Sequence, residues 1–338
     1  MRTFRSRHAP NTILAAGPFT PVARQAPPPW SMRPTTFRWL AILTTVFVYA
    51  QISLGAAVRV SGSGLGCGND WPLCRGRILP PANTHAIVEY AHRTVGSITG
   101  ALLIGAVLVG WLTFRHRQPL IVRLVASATG LIVLEGLLGA LVVFKDLSGA
   151  LVLAHLAVAL ALMGLLIGAS ILAVPGSGNP TSRTFRKLTL LAAALTYILL
   201  LTGAGVVATG ADEVCKSWPF CNRGLGSNFD GVVLYATLHR LAAGVVGLFL
   251  VWTLCTAVYR WRSVPRLTSA AGATLILLVV QMAIGYPTAV SHNLSLIAGL
   301  HVAAATAVWC GVVATAVLSH NPSSIPLSRE PSGPVPRA

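Results

Sequence analysis

Charge is what this sequence has least of. Asp, Glu, Lys and Arg together make up 10% of its 338 residues, and only 8 residues are acidic. Soluble domains carry roughly a quarter charged residues. With 54% apolar residues and a mean hydropathy of +0.72, the chain is not an ordinary soluble domain. The net charge of +17 does not point to nucleic acid, because the basic residues form no stripe or arm and fall between apolar segments. Short alternating segments are also lacking, which excludes a β-barrel. The cysteines lack the C-x2-C spacing of zinc sites. The glycine run Gly62, Gly64, Gly66 and Gly68 is not followed by a phosphate-loop pattern.

What is there is a set of long apolar stretches. Eight of them, about 38–58, 86–113, 119–143, 149–173, 187–209, 231–259, 267–290 and 293–318, are long enough for a membrane-spanning helix, which takes about 20 residues. The fold expected is an all-α membrane protein of eight spans, arranged as two four-helix bundles. Loops on one side carry Arg115, Arg117, Arg123, Arg183, Arg186, Lys187, Arg260, Arg262 and Arg266 and no acidic residue. The other side mixes Arg59, Arg75, Arg77, Lys145, Lys216 and Arg223 with Asp70, Asp146, Asp212, Glu213 and Asp230. The excess of positive charge predicts that both termini are cytoplasmic.

Residues 1–36 are rich in Arg and Pro, contain no acidic residue, and lack the apolar core of roughly 7–15 residues that a cleaved signal peptide needs. They read as a disordered arm, with Met32 as a candidate start. Pro27, Pro28 and Pro29 suit an organelle transit peptide poorly. The organisation expected is therefore the arm at 1–36, an N-terminal half at 37–174, a cytoplasmic linker at 175–186, a C-terminal half at 187–318 and a disordered tail at 319–338.

The two halves repeat one layout. Trp71-Pro72-Leu73-Cys74 matches Trp218-Pro219-Phe220-Cys221, and His92-Arg93 matches His239-Arg240, each shifted by 147 residues. His155 matches His301, Glu135 matches Gln281 and Gly139 matches Gly285, shifted by 146. Four spans per half give the second copy the orientation of the first, so the repeats are parallel. All four histidines interrupt apolar stretches, where an ionisable residue is expensive and marks function. At 1.5 Å per residue each lies about 10 Å below the same surface.

Two facing imidazoles in a four-helix bundle are a natural haem site. Gly96, Gly100, Gly244 and Gly247 follow the histidines and suit either a flat macrocycle or tight helix packing. Arg93 and Arg240 are candidates for pairing haem propionates or for anchoring at the interface. Glu89 shares a helix face with His92, three residues away, and its counterpart is Ala236. That departure from symmetry marks the first half as catalytic and the second as the holder of a fixed haem. Glu135 suits a structural or proton-path role. The pairs Cys67/Cys74 and Cys215/Cys221 can close short loops, each contributing roughly 2.5 kcal/mol, or shuttle electrons. Cys255 and Cys310 read as packing residues, and His85 and His292 remain unassigned.

Glu89-Tyr90-Ala91-His92-Arg93, His155, Leu238-His239-Arg240, His301, the Cys67/Cys74 pair and the duplicated eight-span layout together resemble the haem A synthase family. The resemblance covers all but the two tails. It implies an oxidoreductase that converts the C8 methyl group of haem O to a formyl group, giving haem A for terminal cytochrome oxidase. His92 and His155 would flank the haem O substrate, His239 and His301 would ligate a resident haem b, and Glu89 would be the catalytic carboxylate. Cys67 and Cys74 would assist electron transfer or haem delivery. The implied setting is a bacterial cell membrane rather than an organelle inner membrane. The implied partners are the lipid bilayer, a haem O synthase, an electron acceptor and further copies of the chain. Two other readings fit part of the pattern. A two-haem electron-transfer cytochrome leaves Glu89 unexplained, and a quinone-linked thiol–disulfide oxidoreductase leaves the histidine layer unexplained.

Overall fold

A computed structural model describes residues 34–174, 181–215, 217–218, 231–290 and 295–320. The expected arm up to residue 33, the first half of the linker and the tail beyond 320 lie outside the described residues, as do Cys221 and His292. Among the described residues there are eight helices long and apolar enough to cross a membrane. They are α1 (Pro34–Val60), α2 (Thr84–Phe114), α3 (Pro119–Phe144), α4 (Gly149–Leu172), α5 (Arg183–Ala208), α7 (Gly231–Arg260), α8 (Pro265–Val290) and α9 (Ser295–His320). A single turn, α6 (Ala211–Val214), lies between α5 and α7. No strand occurs among the described residues.

Helix starts follow local chemistry. Pro34, Pro119 and Pro265 each occupy a first turn, where the missing N–H is no loss. The Asn83 side chain caps α2 by accepting from the His85 and Ala86 amides at 3.0 and 3.3 Å. Ser182 caps α5 by accepting from Phe185 N–H at 3.2 Å, so this helix begins inside the stretch expected to be linker. α1 and α9 likewise extend into the expected arm and tail, because helical hydrogen bonding continues past the apolar run that marked each span. The outward surfaces are apolar, with Leu248, Val245, Ile276 and Val279 all at least two-thirds exposed, as a lipid-facing surface requires.

Within each half the helices close a ring. α1 contacts α2, α2 contacts α3, α3 contacts α4, and α4 returns to α1. α5, α7, α8 and α9 close the second ring in the same order. α1 and α4 meet α9, and α4 also meets α5, so equivalent helices from the two halves form the central seam. Hydrogen bonds across the seam repeat too. Tyr49 on α1 donates to Ala303 O on α9 at 3.2 Å, and Tyr197 on α5 donates to Ala157 O on α4 at 2.8 Å. Between them Met163 and Cys310 touch through their sulfur atoms at 3.1 Å.

The glycine run after α1 is a packing device. A Cβ at Gly66 would lie 2.3 Å from the His85 carbonyl, so the loop can press on the start of α2 only with glycine there. Gly68 has φ +72°, a left-handed turn that glycine adopts freely.

The seam hydrogen bonds make a stability prediction. Tyr49→Phe and Tyr197→Phe should each destabilise the protein by about 0.5–1.5 kcal/mol. The effects should add in the double variant, because the two bonds share no partner. Thermal unfolding in detergent followed by near-ultraviolet circular dichroism measures both.

Candidate functional site

The four histidines fall at one level. His92 and His239 stand eight residues into α2 and α7, and His155 and His301 six residues into α4 and α9. α2 and α4 are diagonal in their ring, as are α7 and α9, so each pair faces across a bundle interior. The members of each pair are close enough to interact electrostatically.

Each of these four imidazoles has a seat on the long helix that precedes its own along the chain. The Gln51 amide nitrogen is 3.3 Å from His92 Nε2, and Thr202 Oγ1 is 2.9 Å from His239 Nδ1. The Gln281 amide nitrogen is 3.2 Å from both ring nitrogens of His301. Glu135 Oε2 lies 2.9 Å from His155 Nδ1, at ion-pair distance but not aligned as a hydrogen bond. Each ring also lies over a glycine. A Cβ at Gly55 would be 3.1 Å from His92, at Gly139 3.5 Å from His155, at Gly203 3.0 Å from His239 and at Gly285 3.1 Å from His301.

Three of these seats share one pattern, Gln51-x3-Gly55, Glu135-x3-Gly139 and Gln281-x3-Gly285. Residues four apart share a helix face, so the polar group and the gap meet the same ring. The comparison of halves found two of these pairs and missed Gln51 and Gly55. The recurring Gln/Glu-x3-Gly spacing is the signal that could have found them. The glycines expected beside the macrocycle behave differently. A Cβ at Gly96 would meet Gln51 at 3.0 Å, and Gly100, Gly244 and Gly247 have nothing within 4 Å.

The layer also holds buried polar atoms without a hydrogen-bond partner: Gln51 Oε1, His92 Nδ1, Glu135 Oε1, His155 Nδ1 and Gln281 Oε1. Such atoms are rare in folded proteins and gather where a protein meets a ligand. Among the described residues no three His, Cys, Asp or Glu side chains converge on one point. Two imidazoles alone cannot complete a metal's coordination, so the donor set fits a metal that brings its own in-plane ligands, as iron in a porphyrin does.

Glu89 is 3% exposed and fully engaged. Its Oε2 accepts from Cys67 N–H at 2.8 Å, and its Oε1 pairs with the Arg93 guanidinium one turn away. Arg93 also donates to Asp70 O and Leu73 O at 2.7 and 2.8 Å. These carbonyls lie in the loop closed by the Cys67–Cys74 disulfide, whose two cysteines are both buried. Carboxylate, guanidinium and disulfide loop therefore form one unit above His92. In the second half Arg240 donates to Ser217 O and, at 2.9 Å, to Cys215 O. Ser217 is the repeat counterpart of Asp70, 147 residues on. Both arginines thus hold the loop that bears the cysteines, a contact that sequence reasoning did not anticipate. Cys215 is disulfide-bonded, and Cys221, the partner expected from the spacing, lies outside the described residues. Ala236 is 2% exposed and packs beside Cys215 and Ala211, so an apolar contact stands where the first half has its carboxylate. Of the unassigned histidines, His85 Nδ1 lies 2.9 Å from Ser63 Oγ.

Arg93→Ala should release the cysteine loop locally by roughly 3 kcal/mol, since it removes charge-assisted bonds and leaves Glu89 buried without its partner. Arg75 and Arg77 directly follow this loop. Trypsin should cut there much faster in the variant than in the parent protein, with fragments read by mass spectrometry after reduction.

Comparison with known proteins agrees with this architecture. The sequence profile of the cytochrome oxidase assembly protein family COX15-CtaA matches residues 38–313. A protein of Alkalihalophilus pseudofirmus named heme A synthase is 29% identical over 75% of this chain and 87% of its own. Its namesake in Shouchella clausii is 29% identical over 77% of this chain and 89% of its own. That of Geobacillus kaustophilus is 31% identical over 74% of this chain and 81% of its own. The profile covers both histidine pairs, Glu89 and every long helix, and the relatives are bacterial, in keeping with a multi-pass bacterial membrane protein. This chain belongs to the COX15-CtaA family of cytochrome oxidase assembly proteins.

Proposed function

We propose that this protein oxidises the C8 methyl group of haem O to a formyl group, producing haem A for a terminal oxidase. The observation that carries this reading is the break in symmetry beside the histidines. Glu89 is buried one turn from His92 and held by two donors, whereas the equivalent Ala236 packs against a disulfide-bonded cysteine. A pure electron-transfer cytochrome would need no such difference. The relatives that bear the name heme A synthase support the same reaction.

His92 and His155 hold the substrate haem O, and His239 and His301 hold haem b. When bound, haem b supplies one-electron redox chemistry between the substrate site and an external acceptor. With water as oxygen donor, conversion of a methyl to a formyl group releases four electrons and four protons. The protons need a base beside the substrate. Glu89 fills that role, with Cys67 N–H and Arg93 fixing the carboxylate one turn from His92. Arg93 and Arg240 hold the cysteine loops over the two sites and offer their remaining donors to propionates. Cys67–Cys74 keeps the Cys67 amide aimed at Glu89. The excess of basic residues in one set of loops supports cytoplasmic termini and a histidine layer near the outer surface. Haem O then arrives from a haem O synthase in the same bilayer.

Two outcomes test the assignment. Glu89→Gln should keep bound haem but lower haem A formation by roughly 100-fold or more in cells that make haem O, as read by chromatography of extracted porphyrins. A normal yield would remove Glu89 from the chemistry. The His239→Ala/His301→Ala double variant should lose the low-spin bis-imidazole spectrum of the resident haem; a retained spectrum would overturn the haem b assignment.

A further inference from the structure

Four side chains seat the four imidazoles, and only one of them can carry charge. Gln51, Thr202 and Gln281 are neutral; Glu135 is a carboxylate, and its side chain is 12% exposed. We propose that Glu135 is a positioning residue that holds His155 by Nδ1, makes it the most electron-donating of the four histidines, and so biases electron flow from the first bundle to the second. The inference rests on the assignment of His92 and His155 to the substrate haem.

The geometry supports the first step. Glu135 and Gly139 lie one turn apart on α3, and the His155 ring meets both, with Nδ1 2.9 Å from the carboxylate and Cε1 3.5 Å from where a Cβ at Gly139 would be. With Nε2 given to iron, the ring proton would sit on Nδ1, which lies 2.9 Å from the Glu135 carboxylate. A carboxylate at that nitrogen makes the imidazole a stronger donor and stabilises ferric over ferrous iron.

The second half contains its own control. Gln281 and Gly285 repeat the seat around His301, with a neutral amide 3.2 Å from either ring nitrogen. An amide is therefore enough to seat the ring. A carboxylate inside a membrane bundle is costly unless its charge is used, and the charge is what distinguishes Glu135 from Gln281. It stands in the bundle that also holds Glu89, where electrons must leave the substrate. A lower potential there than in the second bundle makes their transfer to the His239/His301 site downhill.

The experiment uses the full-length protein carrying haem at both sites, with each midpoint potential measured by spectroelectrochemical titration. Loss of one signal in His155→Ala and of the other in His239→Ala assigns the two potentials. If His155→Ala leaves both signals intact, the substrate-site reading itself fails, whatever Glu135 does. Glu135→Gln should raise the potential of the first haem, shift its low-spin electron paramagnetic resonance signature, and leave the second haem unchanged. Glu135→Asp, which keeps the charge, should restore part of the shift. Gln281→Glu should lower the potential of the second haem. The proposal is overturned if Glu135→Gln leaves the first potential in place, or moves both potentials together. Should Glu135→Gln lose both haems through misfolding, Gln281→Glu decides, and an unchanged second potential overturns the proposal.

Discussion

A polar atom inside an apolar helix bundle has to find its partner within the protein, because lipid tails offer none. That demand organises the end of this molecule where α2, α4, α7 and α9 begin. The four histidines each draw a polar side chain from the preceding long helix, and each ring lies against a glycine, so closely at Gly55, Gly203 and Gly285 that a Cβ there would crowd it. Glu89 draws an amide and a guanidinium, and the guanidinium in turn draws loop carbonyls down onto the helix. The cysteine loop is thus part of the same network as the carboxylate. Its disulfide, its glycines and Arg93 serve one end, which is to close a polar site against the surrounding apolar phase.

Duplication supplies the framework and its exceptions supply the chemistry. Tyr49 and Tyr197 reach across the seam to Ala303 and Ala157 as repeat counterparts, and Met163 meets Cys310 between them. Arg93 and Arg240 hold equivalent loop positions. Against that background two carboxylates stand out, Glu89 opposite Ala236 and Glu135 opposite Gln281. Both are in the first half, and both lie beside its histidine pair. A bundle that only stored a cofactor would have no need of either charge in so apolar a setting.

Much of this was legible along the chain. Spans of more than 20 apolar residues are unambiguous, since nothing else in a sequence looks like them, and they misjudged helix ends by at most four residues, most at starts where a cap or a first-turn proline extended the helix. The histidines were legible because an ionisable group in such a run is conspicuous, and Glu89 because its partner in the repeat is alanine. Gln51 was not, although it occupies the same kind of seat as Glu135. A neutral amide in a membrane helix draws little attention until its neighbour across the bundle is known. The arginines were legible only in part. Their charge suggested propionates, but not that they also hold backbone carbonyls some 20 residues away in sequence. The glycines on the histidine helices drew attention by proximity in sequence, yet the glycines that admit the rings are on the neighbouring helices.

By itself the sequence determined the membrane-spanning helices, the duplication, the identity of the four ligand candidates and the asymmetry at Glu89. Each of these depends on composition or spacing within one helix or between equivalent places in the repeats. Only the tertiary structure decided which side chain seats which imidazole, which helices stand diagonally, and that Glu89, Arg93 and the Cys67–Cys74 loop form one unit. Those contacts join residues on different helices, and their partners are chosen by helix rotation and depth, which side-chain packing sets and no local pattern records.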